Sequence, residues 1–500
     1  MNNESFSSRW GIILASLGMA IGAGNIWRFP RLAGQYGGTF IILWIVFLLV
    51  WSIPILLAEF SIGKKYKQGV IGSFSRFAGK KYSWMGFFIT FCTLGIAFYY
   101  SVITGWALRF LGFSLSDVFA GLTGAETLAE HMAADPNYLK NQWHTITHGN
   151  ITTIVLHIFS VALGVGLLVK GIQNGLEKAN KILIPSLFVL LIITGFISLS
   201  LDGALKGLEY MFTIKPELFS DPKVWIEALS QSAWSTGAGW GLIMTIASYS
   251  RSKEDVTLNT FIGGFGNNTA SLIAGMTILP AVFGLAGSEE AAISALQAGN
   301  QGLTFTVIPH LFTQISGGAI LSVIFFLALF IAALSSLLPM LELFIKHITD
   351  LGIARKTATV RAGVACIVLG LPSAYSLEFF NNQDWVWGIG LVISGLFIIF
   401  AVLKHGIQSF KAKFIDTDSD MHVSTTYFTV AIRTNIFLGA TLIIWWLSQG
   451  YSAFPWFTDS GMWNVFDQYS NATVITQWAC LILIGLGLNK FLSEKFGANA

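Results

Sequence analysis

The sequence predicts an all-α membrane protein of about twelve transmembrane helices, built as a five-plus-five inverted repeat with broken first and sixth helices. Three observations point there. Of 500 residues, 54% are hydrophobic and only 11% charged, against about 25% charged in a soluble globular chain, so lipid must be the solvent for most of the surface. The apolar residues fall into runs long enough to cross about 30 Å of hydrocarbon, which takes roughly 20 residues each. Two of these runs, five apart, carry glycine clusters at mid-depth.

The runs lie near 10–36, 39–63, 84–112, 150–169, 181–201, 224–249, 258–286, 316–346, 359–375, 385–404, 427–449 and 473–492. The ninth is the shortest and is expected to end at Pro372. Lys and Arg set the topology, because cytoplasmic loops carry the positive excess. Lys64, Lys65, Lys67, Arg76, Lys80 and Lys81 follow the second run. Later even-to-odd connections hold Lys170, Lys178 and Lys181, then Arg251 and Lys253, then Arg355, Lys356 and Arg361, then Lys411 and Lys413. The segment 114–149 has only Lys140 against Asp117, Glu126, Glu130 and Asp135. Both termini are therefore expected inside, in a multi-pass protein of the plasma (inner) membrane. Residues Met1 to Ser8 are polar, and the run after Arg9 is too long and glycine-rich for a cleaved leader, so no signal peptide is expected. The chain reads as one transmembrane domain over 1–500, with repeat one at about 9–201, repeat two at about 224–404 and two extra helices at about 427–492.

The breaks are explicit in the sequence. The first run contains Gly18-Met19-Ala20-Ile21-Gly22-Ala23-Gly24-Asn25, and the sixth contains Ser235-Thr236-Gly237-Ala238-Gly239-Trp240-Gly241. Glycine costs about 1 kcal/mol per residue inside a helix, so each cluster favours unwinding. Unwound backbone survives in a bilayer only where protein buries it or it lines a cavity. A matched pair of such breaks is the mark of an inverted-repeat transporter with its site at the repeat interface. The alternative is close packing of small residues between helices.

Other classes find little support. Basic residues sit in short clusters between apolar runs and form no nucleic-acid footprint. Cys92, Cys366 and Cys480 all lie in apolar runs, which argues against a disulfide framework. There is no phosphate-cradling Gly-x-x-x-x-Gly-Lys-Ser/Thr sequence, no Gly-x-Ser-x-Gly elbow and no His-Glu-x-x-His pair, so neither a nucleotide-driven pump nor an intramembrane enzyme is indicated. Nothing assigns an oligomeric state.

The residues around these breaks resemble the neurotransmitter:sodium symporter family. Gly22-Ala23-Gly24-Asn25-Ile26-Trp27-Arg28-Phe29-Pro30 is similar to its first-helix signature, with Gly37-Gly38 and Phe40 opening the second helix. The likeness continues through Tyr99-Tyr100, Gln231 to Gly241, Leu334-Ser335-Ser336 with Glu342, and Asp384, in order and at the expected separations. The resemblance implies sodium-coupled import of a small carboxylate-bearing solute, a neutral amino acid, without enzymatic activity. A proton-coupled transporter of the same fold is the alternative, and a channel is disfavoured by the tryptophans expected to occlude the path.

The resemblance further implies two sodium ions. One would sit on the Ala20 carbonyl, the side chains of Asn25, Ser235 and Asn267 (or Asn268), and the solute carboxylate. The other would take carbonyls of Gly18, Ile21 and Ala332 with the Ser335 and Ser336 hydroxyls. Backbone N–H groups near Ala23 and Gly24 and the Tyr100 hydroxyl would hold the carboxylate. Ile96, Trp234, Gly237, Trp240 and Met340 would surround the solute's side chain. Gly22 stands where monoamine-transporting relatives have aspartate. Arg28 and Asp384 would form the outer gate, with Trp234 as an aromatic lid. At the inner gate the family's Arg and Trp are replaced by Asn3 and Phe6, leaving Asp350 without its usual partner. For Ser271, two readings stay open. Either Gln231, Ser235, Asn267 and Ser271 hold a chloride, with Trp44 in place of the family's tyrosine, or Ser271 merely packs and an acid such as Glu59 compensates the ions' charge. Glu59 and Glu342 are otherwise expected to cap buried backbone or pack between helices.

Overall fold

The computed structural model describes residues 4–497, apart from 418 and 450. Among them the regular structure is helical, and the β pairings are two isolated bridges, His148 with Ser376 and Phe457 with Trp463. Ten helical stretches are long and apolar enough to cross a membrane: Ala23–Tyr66, Lys80–Ala120, Ile151–Leu168, Ile172–Leu199, Val256–Leu285, Gly318–Asp350, Arg355–Tyr375, Leu377–His405, Thr425–Ser448 and Asn471–Gly497. The two remaining expected spans are the broken ones. Span one is Arg9–Ala20 followed by the start of Ala23–Phe47, and span six is Pro222–Ser235 followed by Leu242–Ser248.

Spans one and two run together as helix, parted by a kink at Gly37, whose φ of 62° lies in the left-handed region that glycine tolerates. The kink lets the loop before span six dock. The Gly38 N–H donates to the Thr213 carbonyl at 2.9 Å, and the Thr39 hydroxyl to the Lys215 carbonyl at 2.9 Å. Span three is longer than the sequence indicates, running Ser83–Thr123, and the segment after it folds into two short helices, Leu128–Ala134 and Tyr138–Thr147. The first has a Thr127/Glu130 capping box, which the sequence pattern Thr-x-x-Glu announces. The ninth span begins at Arg355 and carries Pro372 in its last turn, so the proline does not end it.

Half-helices pair like with like. The outer half of span one packs on Pro222–Ser235, and its inner half, Arg9–Ala20, packs on Leu242–Ser248. Span eight, Gly318–Asp350, lies along span three and crosses Arg9–Ala20. One continuous apolar core joins these elements. The breaks are thereby buried inside protein, as unwound backbone in lipid requires.

Candidate functional site

The two breaks use glycine for different reasons. In span six, Gly237, Gly239 and Gly241 all have positive φ, 70°, 90° and 73°, a run that residues with a Cβ rarely adopt. In span one, Gly22 has an ordinary extended φ of −124°. What it needs is space, because a Cβ there would lie 2.6 Å from the Tyr100 hydroxyl and 2.8 Å from Ser336 Oγ. The Gly22 N–H donates to Asn25 Oδ1 at 2.9 Å, and the Ala23 N–H to the Tyr100 hydroxyl at 3.0 Å. Gly24 faces open space, with nothing within 4 Å of a Cβ placed on it. It lies in the first turn of the outer half-helix, where N–H groups have no carbonyl of their own helix to meet. Free donors and the helix's positive end make this a seat for an anion.

The five residues expected at the second ion come together. Ser336 Oγ lies 3.1 Å from the Gly18 carbonyl and 3.2 Å from that of Ile21, and Ser335 Oγ lies 3.3 Å from the Ile21 carbonyl and 2.9 Å from that of Ala332. Both serines are buried. The carbonyls of Gly18 and Ile21 are available because the helix stops at Ala20 and cannot use them. The cluster holds oxygens without a full charge, chemistry suited to a hard cation.

The residues expected at the first ion also lie together, with the Asn267 side chain among them. Asn25 Nδ2 donates to Asn267 Oδ1 at 2.7 Å and to Ser271 Oγ at 2.8 Å. The Asn267 amide touches Ser235 Oγ at 2.9 Å. In its other amide orientation Asn267 Nδ2 instead donates to the Ala20 carbonyl at 3.1 Å and the Ser235 carbonyl at 3.0 Å, and its Oδ1 accepts from the Ser235 hydroxyl at 2.9 Å. Ser271 thus sits beside this cluster. Gln231 Oε1 and the Trp44 indole N–H are both buried without a partner.

A cavity of about 450 Å³ opens beside the breaks, lined by Gly22, Gly24, Asn25, Tyr100, Trp234, Gly237, Trp240, Ser336 and Met340 among others. It continues past Arg28 and Asp384 to Trp445 and Tyr451. Trp234 and Trp240 meet edge to face at 5.4 Å, and a Cβ at Gly237 would touch Met19 Cε at 3.2 Å. Two residues have surroundings other than the resemblance implies. Ile96 is fully buried and does not line the cavity, whereas Ile103, two helical turns on, does. Arg28 pairs with Glu227 at 3.2 Å and donates to Ser230 Oγ at 2.8 Å, while Asp384 accepts from the Tyr99 hydroxyl at 2.8 Å. With the cavity open between them, Arg28 and Asp384 each have a local partner.

Glu59 caps the sixth break. Its carboxylate accepts from the Gly239 N–H at 2.9 Å and the Gly241 N–H at 2.6 Å, satisfying backbone donors that the unwinding strands. At the inner end, Asn3 lies outside the described residues. Phe6 is buried, with its N–H on the Tyr249 carbonyl at 3.1 Å. Asp350 pairs with Lys346 at 2.7 Å and accepts from the Gly69 N–H at 2.6 Å. The main inner ion network is elsewhere. Arg355 binds the buried Glu342 through both guanidinium nitrogens, at 2.9 and 2.6 Å, and reaches Glu4 at 2.7 Å; the Tyr249 hydroxyl adds a bond to Glu342 at 2.6 Å. Sequence reasoning counted Arg355 only among the inner basic residues.

Known proteins are similar to this chain in fold and sequence. The solved structure of MhsT in complex with L-phenylalanine superposes with a TM-score of 0.74 at 28% identity, over 88% of this chain and 99% of that one. An uncharacterized sodium-dependent transporter of Methanocaldococcus jannaschii is 33% identical over 376 residues, 74% of each chain. The sodium-dependent neutral amino acid transporter B(0)AT2 of Mus musculus is 29% identical over 338 residues, 61% of this chain and 45% of its own length. A profile of the Sodium:neurotransmitter symporter family matches residues 3–454. The chain is a multi-pass membrane protein of the sodium-dependent transporters and belongs to the Sodium:neurotransmitter symporter family.

Proposed function

We propose that this transporter imports a neutral amino acid together with sodium, by alternating access at the two breaks. The observation that carries the reading is the cluster of five neutral oxygen donors from Gly18, Ile21, Ala332, Ser335 and Ser336, set beside a cavity that Gly24 faces openly. A dehydrated cation fits the cluster, and a carboxylate fits the half-helix end. The carboxylate would complete the first ion's shell beside Ala20, Asn25, Ser235 and Asn267, so ion and solute stabilise each other. MhsT is seen with L-phenylalanine and B(0)AT2 is named for neutral amino acids, which supports that solute class.

The cavity runs from the breaks toward the end of the bundle that the positive-inside pattern puts outside the plasma membrane. On that orientation both termini are cytoplasmic. Two sodium ions with a zwitterion carry two charges through the potential, releasing about 4.6 kcal/mol per 100 mV. At about 1.4 kcal/mol per factor of ten, this sustains roughly a thousandfold accumulation. The test is uptake of a labelled amino acid into proteoliposomes under an inward sodium gradient. Uptake that follows the sodium gradient supports the reading; uptake driven by protons alone, without sodium, would favour the proton-coupled alternative.

A further inference from the structure

Span five and the inner half of span one press together closely enough to require glycine along their seam. A Cβ on Gly11 would collide with the Glu177 carboxylate, and one on Gly18 would collide with the amide oxygen of Asn180 and stand 2.9 Å from its Cγ. The two polar side chains on span five differ in one respect. Glu177 is fully partnered, by the Ser7 N–H at 2.8 Å, the Ser7 hydroxyl and Lys181 at 2.7 Å. Asn180 is completely buried, and neither Nδ2 nor Oδ1 has a partner in the protein.

A buried amide without partners destabilises the fold, and such groups in native proteins call for an explanation at a working site. Its location supplies one. The amide lies against Gly18, whose carbonyl is 3.1 Å from Ser336 Oγ in the second oxygen cluster. Along the same seam, Glu177 meets Ser7 near the N-terminus, so Asn180 stands between the cluster and the inner end of the bundle. An amide oxygen offers a cation the same uncharged ligand that a backbone carbonyl does. While Gly18 packs against it, Asn180 is not one of the cluster's ligands. Once the inner half of span one moves off span five, its amide oxygen is uncovered beside the Gly18 carbonyl.

From this juxtaposition we infer that Asn180 Oδ1 is a transient ligand for the alkali cation as it leaves the second cluster toward the cytoplasm. The inference rests on the sodium-coupled reading above. Without the amide, the departing ion loses an oxygen ligand beside Gly18, and its release slows.

The test compares the full-length parent with Asn180→Leu and Asn180→Ser. Leucine matches the side chain in size and removes both polar atoms; serine keeps an oxygen. Sodium-dependent amino acid binding, melting temperature, and release of radioactive sodium into proteoliposomes are measured for each. The leucine variant is expected to keep its sodium affinity within about threefold and its melting temperature at or above the parent's, while sodium release and turnover fall about tenfold or more. The serine variant is expected to retain most of the turnover. Unchanged release in the leucine variant would overturn the inference. So would a loss of release accompanied by a lower melting temperature and weaker sodium binding, which marks a packing role. A parent that binds amino acid without sodium would overturn the underlying reading, and that outcome is seen in the parent alone.

Discussion

The Ser336 hydroxyl of span eight lies 3.1 Å from the Gly18 carbonyl, at the point where span one gives up its helix. A side chain on a continuous helix thus meets a carbonyl that only a break can free. In the protein alone the hydroxyl donates to that carbonyl; on the proposed reading, both oxygens would turn to a cation placed between them. The contact joins the inner half of span one to span eight.

Ser336→Ala removes one oxygen from this cluster and leaves the fold's apolar packing intact. Sodium affinity is expected to fall about tenfold or more, equivalent to about 1.4 kcal/mol. Sodium titration of amino acid binding measures it, with Asn25→Ala as the matching loss at the first cluster. Unchanged affinity in both variants would remove the clusters from the ion sites.

On the proposed reading, glycine at position 22 leaves the solute to bring its own negative charge. A decarboxylated amine is expected to bind about a hundredfold more weakly than its parent amino acid, a loss of about 2.7 kcal/mol. Gly22→Asp is expected to abolish amino acid binding without creating amine binding, because its Cβ would meet Tyr100 at 2.6 Å and Ser336 at 2.8 Å. Calorimetry with the two ligands is the check, and equal binding of amine and amino acid would contradict the carboxylate seat.

Ser271 tests the chloride alternative. Its hydroxyl lies 2.8 Å from Asn25 Nδ2, next to the first cluster, and the unpartnered Gln231 and Trp44 groups are buried. If an anion balances the ions there, sodium-driven uptake is lost in gluconate and restored by Ser271→Glu. Full activity of the parent in gluconate would leave Ser271 a packing residue.

Arg355 is expected to be the costliest inner-end residue to remove. Arg355→Ala strands the fully buried Glu342 carboxylate, and breaking a buried pair on one side costs about 3–5 kcal/mol. Glu4→Gln, at a partly exposed partner, is expected to cost less than about 1 kcal/mol in stability. Thermal unfolding of both variants in detergent separates the two cases.

The helical architecture was legible because lipid forces it: apolar runs of fixed length, glycine clusters where they break, and basic residues between them. The second cluster was legible only through the resemblance, which implies Gly18, Ile21, Ala332, Ser335 and Ser336 as the ligands of one ion. Partner choice was less so. Arg28 was assigned to Asp384, yet it binds Glu227, two turns before the sixth break, because an open cavity separates it from Asp384. The resemblance puts Ile96 at the solute, yet Ile96 is fully buried and Tyr100 and Ile103, further along the same face of span three, line the cavity. Neither the Arg355–Glu342 pair nor the unpartnered Asn180 follows from spacing, because both depend on how separate helices pack.

The most direct measurement is a binding screen of the natural amino acids on the purified protein, run in sodium and again in potassium at equal ionic strength. Saturable binding of a neutral amino acid in sodium, lost in potassium, is the expected result. Equal binding in the two salts, or none of any amino acid in sodium, would contradict a sodium-coupled amino acid symporter.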